Sequence, residues 1–220
     1  MKQRGSRAAS KKSGAQARVT QPTLSAEQIW AELMAGNKRF VAGKPKARGL
    51  VRLRKGLANS QKPLVVVLSC SDSRVASEII FDQNLGDLFV VRTAGNIAGP
   101  IGLGSLEFAA QQLGAKMLVV LGHSKCGAVT AACSSEKMPT PCLQAIVDKI
   151  IPAVLRVPKT DDRDAFIEAA IQENVHQSTR DILRNSEVLR RLLKEGKLAV
   201  IEAEYHLDSG EIVRLGATKA

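Results

Sequence analysis

Cys70-Ser71-Asp72-Ser73-Arg74 ends one apolar run, and His123-Ser124-Lys125-Cys126 ends another. Two thiols, one imidazole and one carboxylate at two strand ends come close to a complete tetrahedral zinc site. Two sulfurs and one nitrogen leave a fourth position, the ligand pattern of a catalytic zinc, and Asp72 or a water can fill it. Arg74 lies two residues further along the same loop. A bidentate Arg–carboxylate pair would hold Asp72 away from a metal. The plain alternative is a closed structural zinc site, which has little need of an arginine beside its carboxylate.

The elements that must position these residues are readable from periodicity. Residues 64–68 form a short, continuous, β-branched run, as expected of a strand buried on both faces, and 88–91 and 117–121 repeat the pattern. A helical stretch at 103–113 separates the second and third runs and ends at Gly114. Ser25-Ala26-Glu27-Gln28 matches a capping box and opens a helix with Ile29, Trp30, Leu33, Met34, Phe40 and Val41 on one side. That apolar face can serve a neighbouring subunit or the chain's own core. Amphipathic helices follow at 143–155 and 165–184, and a third runs from Ser186 to Gly196. A fourth strand is expected at 198–204, and Asp208-Ser209-Gly210 turns the chain into an antiparallel edge strand at 211–215. Alternating strands and helices predict an α/β fold, a mostly parallel β-sheet flanked by helices. In such sheets ligands bind outside the carboxyl ends of the strands, so residues about fifty positions apart can meet there. Gly122 and Gly127 are expected to permit the tight strand-to-helix turn. The N-terminus of the following helix should favour a thiolate at Cys126.

With 220 residues, 45% of them apolar, the chain suits one globular domain, expected over 25–220. The net charge of +11 is uneven: residues 1–55 carry +12 and the remainder −1. The basicity therefore belongs to the N-terminal arm. Residues 1–24 lack periodicity and are expected to be a disordered tail, and no aromatic residue interleaves the charges before Trp30. Nothing in the sequence selects nucleic acid as a partner. No signal-peptide pattern or membrane-length apolar run occurs, so a cytoplasmic location is expected. Cys133 and Cys142 lie outside the metal-like spacings and read as buried packing residues. His176 and His206 read as surface or packing residues, and Asp87 and Glu107 as capping or pairing groups.

Cys70-Ser71-Asp72-Ser73-Arg74-Val75 and Gly122-His123-Ser124-Lys125-Cys126-Gly127-Ala128 resemble the paired signatures of the β-class carbonic anhydrases. Residues 86–96 and 105–109 resemble further blocks of that family, in the family's order. The resemblance implies one zinc ion per subunit, held by Cys70, His123 and Cys126. It implies reversible hydration of carbon dioxide to bicarbonate and a proton by hydroxide on that zinc. Asp72 and Arg74 match the family's dyad: Asp72 would orient the nucleophile, or ligate zinc in a closed state when the dyad breaks. Gln61 matches a substrate-binding position, and Phe89 and Phe108 match positions lining the pocket. Many relatives have Tyr at the position of Phe108, and many have Asn at that of Thr93. The resemblance also implies a homodimer or homotetramer with the pocket at a subunit interface. Two thiolates donate more charge to zinc than imidazoles do, so activity is expected to rise toward alkaline pH. The alternatives are a carbonyl sulfide or carbon disulfide hydrolase on the same scaffold, and a non-catalytic structural zinc protein.

Overall fold

The computed structural model describes residues 24–134 and 136–218. Five strands, β1 (Val65–Cys70), β2 (Leu88–Thr93), β3 (Met117–His123), β4 (Ala199–Tyr205) and β5 (Ile212–Thr218), form one sheet in the order β2-β1-β3-β4-β5. The first four are parallel and β5 is antiparallel to β4. This is the α/β architecture expected from the sequence. The chain runs outward from β1 in both directions, to β2 on one side and β3 on the other. The crevice of this sheet therefore lies between the carboxyl ends of β1 and β3.

Side chains of a strand alternate between faces, and the core follows that period. Val65 and Val67 of β1, with Val119 and Leu121 of β3, face α1 (Ala26–Val41) and its Ile29, Trp30 and Leu33. Val66 and Leu68 of β1, with Leu118 and Val120 of β3, face α4 (Pro100–Glu107) and α7 (Arg163–Asn185). Each fully buried Val or Leu of these strands contributes about 1.5–3 kcal/mol relative to exposure. The apolar stripe of α1, apart from exposed Val41, thus packs on the chain's own core. Ser25 caps α1 through the expected box, accepting from Gln28 N at 3.2 Å while its own N–H donates to Gln28 Oε1 at 2.8 Å.

Several boundaries differ from the periodicity reading. The helix expected at 103–113 begins at Pro100, whose missing N–H costs nothing in a first turn. It widens into a π-helical turn over Phe108–Gln112. Helix α2 (Leu50–Leu57) was not expected, because it buries no residue and leaves no core-facing signal. The short α3 (Ser77–Ile80) follows β1, and α5 (Gly127–Cys133) follows β3. Strand β2 is half-buried rather than covered on both faces, because it is the edge of the sheet. Cys142, on the first turn of α6 (Pro141–Val154), is exposed rather than buried, while Cys133 is partly covered. The expected tail, residues 1–24, lies outside the described residues except for Leu24, which packs against the α1-side core. Asp87 and Glu107 pair as expected: Asp87 accepts from Asn84 N at 2.8 Å, and Glu107 from Ser186 Oγ at 2.6 Å. Helix α8 (Glu187–Lys194) then opens on Ser186, whose Oγ accepts from Leu189 N at 3.1 Å.

Two polar knots fasten α1 to its neighbours. Buried Asn37 donates from Nδ2 to Ile80 O at 3.0 Å and Gly210 O at 2.8 Å, and accepts from Ile212 N at 3.1 Å. Buried Asp82 accepts from Arg39 Nε and Arg48 Nη2, both at 2.6 Å, and from Lys46 N at 3.2 Å. Burial alone would raise the Asp82 carboxyl, but Arg39, the Lys46 N–H and Arg48 overcome it and hold it below its ordinary value. A depressed folded pKa stabilises the fold above the unfolded value, near 4 for Asp, and is lost as pH falls through the folded value. Asp82→Asn should therefore cost about 2 kcal/mol at neutral pH, less than a fully buried pair because both guanidiniums retain some water. Denaturant unfolding of both proteins should show that difference closing below about pH 4. A pH-independent difference would contradict the assignment.

Candidate metal centre

Cys70 is the last residue of β1, His123 is the last of β3, and Cys126 caps α5. All three side chains are buried, and their sulfur and nitrogen donors lie within 4.8 Å of one another. The reversal between β3 and α5 is made at Lys125, with φ +56, and not at a glycine. Gly122 serves a different purpose from the one expected. It lies within β3, and a Cβ there would meet Val175 Cγ2 of α7 at 2.5 Å, so its missing side chain lets α7 close over the sheet. Gly127 has open space around it.

The loop after β2 completes the wall. Gly95, at φ +71, donates its N–H to Cys70 Sγ at 3.3 Å. A Cβ at Gly95 would meet Ile150 Cδ1 at 2.7 Å. Buried Asn174 of α7 donates to Gly95 O at 2.9 Å and fixes that loop from behind. Arg92 of β2 donates to Cys70 O at 3.2 Å and to Asp72 O at 2.7 Å, clamping the backbone that carries both side chains. Sequence reasoning assigned no role to Arg92, Gly95 or Asn174. The signal for Asn174 was a polar residue inside the apolar stripe of Ile171 and Val175.

Asp72 and Arg74 form the expected fork. Arg74 donates from Nε to Asp72 Oδ1 at 2.9 Å, from Nη2 to Oδ2 at 2.8 Å and from its backbone N to Oδ1 at 2.9 Å. The Arg74 guanidinium is the main reason why the Asp72 carboxyl is held far below the ordinary carboxylate range. Asp72 Oδ2 stands 4.0 Å from His123 Nε2.

The residues fit a metal ion. His123 Nδ1 lies 2.9 Å from Ser124 O, which directs Nε2 inward, and Nε2 is buried without a hydrogen-bond partner. The thiols have the complementary need. The neighbouring Cys126 and His123 side chains, with the Asp72 and Gly95 N–H groups, outweigh burial and lower the Cys70 thiol well below its ordinary value. That first negative charge, with burial, pushes Cys126 up against the Ala128 and Val129 N–H groups at the start of α5, which lower it as a helix terminus should. Two adjacent thiolates call for a cation, and a dication bound by thiolate and imidazole supplies it.

The other expected site residues lie apart from this cluster within one chain. Gln61 is exposed in the segment leading into β1. Phe89 and Phe108 face each other with ring centroids 6.4 Å apart, and Phe108 is 50% exposed. Phe89 packs on the cluster under α4 and α7, whereas the two thiols pack with Val129, Val147 and Ile150.

A profile of the family described as carbonic anhydrase matches residues 65–212. Carbonic anhydrase 2 of Mycobacterium tuberculosis is 39% identical over 198 residues, 87% of this chain and 94% of that protein. Among solved structures, the β-carbonic anhydrase CcaA superposes with TM-score 0.69 at 26% identity, over 86% of this chain and 95% of that one. One of two tetrameric β-carbonic anhydrases from Sordaria macrospora gives TM-score 0.70 at 25% identity, over 86% and 98% of the two chains. With its Cys–His–Cys cluster standing at the crevice of the same fold, the chain belongs to the β-class carbonic anhydrase family.

Proposed function

We propose that this enzyme reversibly hydrates carbon dioxide to bicarbonate and a proton, with zinc held by Cys70, His123 and Cys126. The observation that carries this reading is a buried Cys–His–Cys cluster beside a carboxylate already claimed by Arg74. When bound, zinc supplies Lewis acidity, which makes hydroxide available from water near neutral pH.

The chain's own residues do the rest. Cys70, His123 and Cys126 supply three donors and leave the fourth position to solvent. Ser124 O fixes the ring of His123 so that Nε2 faces the other two donors. Asp72 stays ionised because Arg74 holds both its oxygens, and an ionised carboxylate only accepts hydrogen bonds. It therefore orients a proton-bearing nucleophile by accepting from it, while the fork keeps it from becoming a fourth ligand. Arg92 holds the backbone of residues 70 and 72 in place for both tasks.

The same reading calls for a homodimer or a homotetramer. The β2 edge is half-covered, Ile101 of α4 is 86% exposed, and Phe108 is half-exposed beside it. A second copy that covers this face would enclose Phe89 and Phe108, and Gln61 would reach a pocket shared between chains. Reduced ligand thiols go with a cytoplasmic site of action.

Asp72→Asn should keep zinc content at the wild-type level and lower kcat by about 10²-fold, read by stopped-flow hydration and metal analysis. Loss of folding, in a protein whose wild type has no turnover, would instead indicate a closed structural site. Ile101→Glu should shift the sedimentation coefficient toward the monomer with little change in melting temperature. An unchanged assembly would place the interface elsewhere.

A further inference from the structure

A second donor cluster lies outside the family site. Glu168 of α7, Glu204 of β4 and His206, which directly follows β4, bring two carboxylates and an imidazole together, with donor atoms within 4.8 Å of one another. Glu204 is 0% exposed. Its Oε2 accepts from Gln172 Nε2 at 3.1 Å, but its Oε1 is buried without a hydrogen-bond partner. No Lys or Arg among the described residues pairs with Glu168 or Glu204. A buried oxygen left in this way is costly, and more so when charged.

The cluster is held by rigid elements. Glu204 is placed between Gly122 of β3 and Val213 of β5 in the sheet. Glu168 and Gln172 are one helical turn apart on α7 and approach Glu204 from the same side. The backbone of His206 is pinned by its N–H to Glu211 O at 2.9 Å and by Gly210 N to its carbonyl at 2.8 Å. Two donors at one strand end and a third from a helix, one of them unsatisfied in the interior, describe a ligand site rather than a solvated acidic patch.

We propose that Glu168, Glu204 and His206 bind a second divalent transition cation, independent of the Cys70–His123–Cys126 centre. The two carboxylates balance a dication, and a mixed oxygen–nitrogen set suits Mn2+, Fe2+ or Zn2+ better than Ca2+ or Mg2+, which take oxygen alone. This site contains no sulfur, so it differs in metal preference from the thiolate centre. Burial, then the neighbouring Glu168 carboxylate, pushes Glu204 up to about 8 against the pull of Gln172. A proton shared between the two carboxyls is therefore the rival occupant, and the cation must displace it.

Mn2+ separates the two, because hard oxygen and imidazole donors accept it while a two-thiolate site does not favour it. The full chain, carrying one equivalent of zinc in its thiolate centre, would be titrated with Mn2+ at mildly alkaline pH. Free Mn2+ would be followed by electron paramagnetic resonance. Saturable uptake of about one Mn2+ per chain at micromolar metal is expected, weakened at least about tenfold by Glu204→Gln. Glu168→Gln and His206→Ala, at partly exposed positions, test the same site without disturbing the interior and should weaken uptake similarly. Absence of saturable uptake up to millimolar Mn2+ would overturn the proposal and leave a proton-bridged carboxyl pair. Undiminished uptake in all three variants would overturn it too.

Discussion

The fold has to bring two thiols and an imidazole out of water at the carboxyl ends of neighbouring parallel strands. Without a cation, the negative charge on one thiol and the burial of both oppose ionisation of the second. Much of the surrounding structure bears on that constraint. The sheet order puts β1 beside β3, Gly95 gives its N–H to Cys70, and Ser124 O fixes the His123 ring. Asn174 and the close approach of α7 over Gly122 hold the back of the site. The alternating core of β1 and β3, anchored on α1 and α7, supplies the stability that a polar strand end costs.

A second choice separates a catalytic centre from a structural one. Asp72 is placed near His123, where it is able to close the coordination, yet Arg74 occupies both its oxygens. On the proposed reading, that charge pair keeps a carboxylate ionised and off a bound metal. A structural site gains nothing from that. Arg92 extends the logic to the backbone, so side chain and main chain of the 70–74 loop are held by different arginines.

The parallel sheet, its antiparallel fifth strand, the capping box at Ser25 and the five side chains of the signatures (Cys70, Asp72, Arg74, His123 and Cys126) were legible because each leaves a local mark. These marks are an apolar run, a turn triplet, a Ser-x-x-Gln, and thiols and imidazole at strand ends. What stayed hidden depends on partners distant in sequence. Arg92 looks like any polar strand residue until its guanidinium meets the carbonyls of residues 70 and 72. Helix α2 has no buried residue, and β2 reads as a buried strand although it lies on the sheet's edge. Gly122 was legible as special but for the wrong reason, since the crowding comes from α7 and not from a turn. His206 appeared to be an ordinary surface or packing residue because Glu168, which joins it and Glu204, comes from a distant stretch of chain.

The most direct test of the central claim is carbon dioxide hydration by stopped flow on the zinc-loaded full chain, beside Cys126→Ser. The account predicts rapid turnover that disappears when this single sulfur is removed. Zinc bound at Cys70, His123 and Cys126 with no hydration at any pH would contradict it, and a rate with carbonyl sulfide under those conditions would move the same chemistry to another substrate.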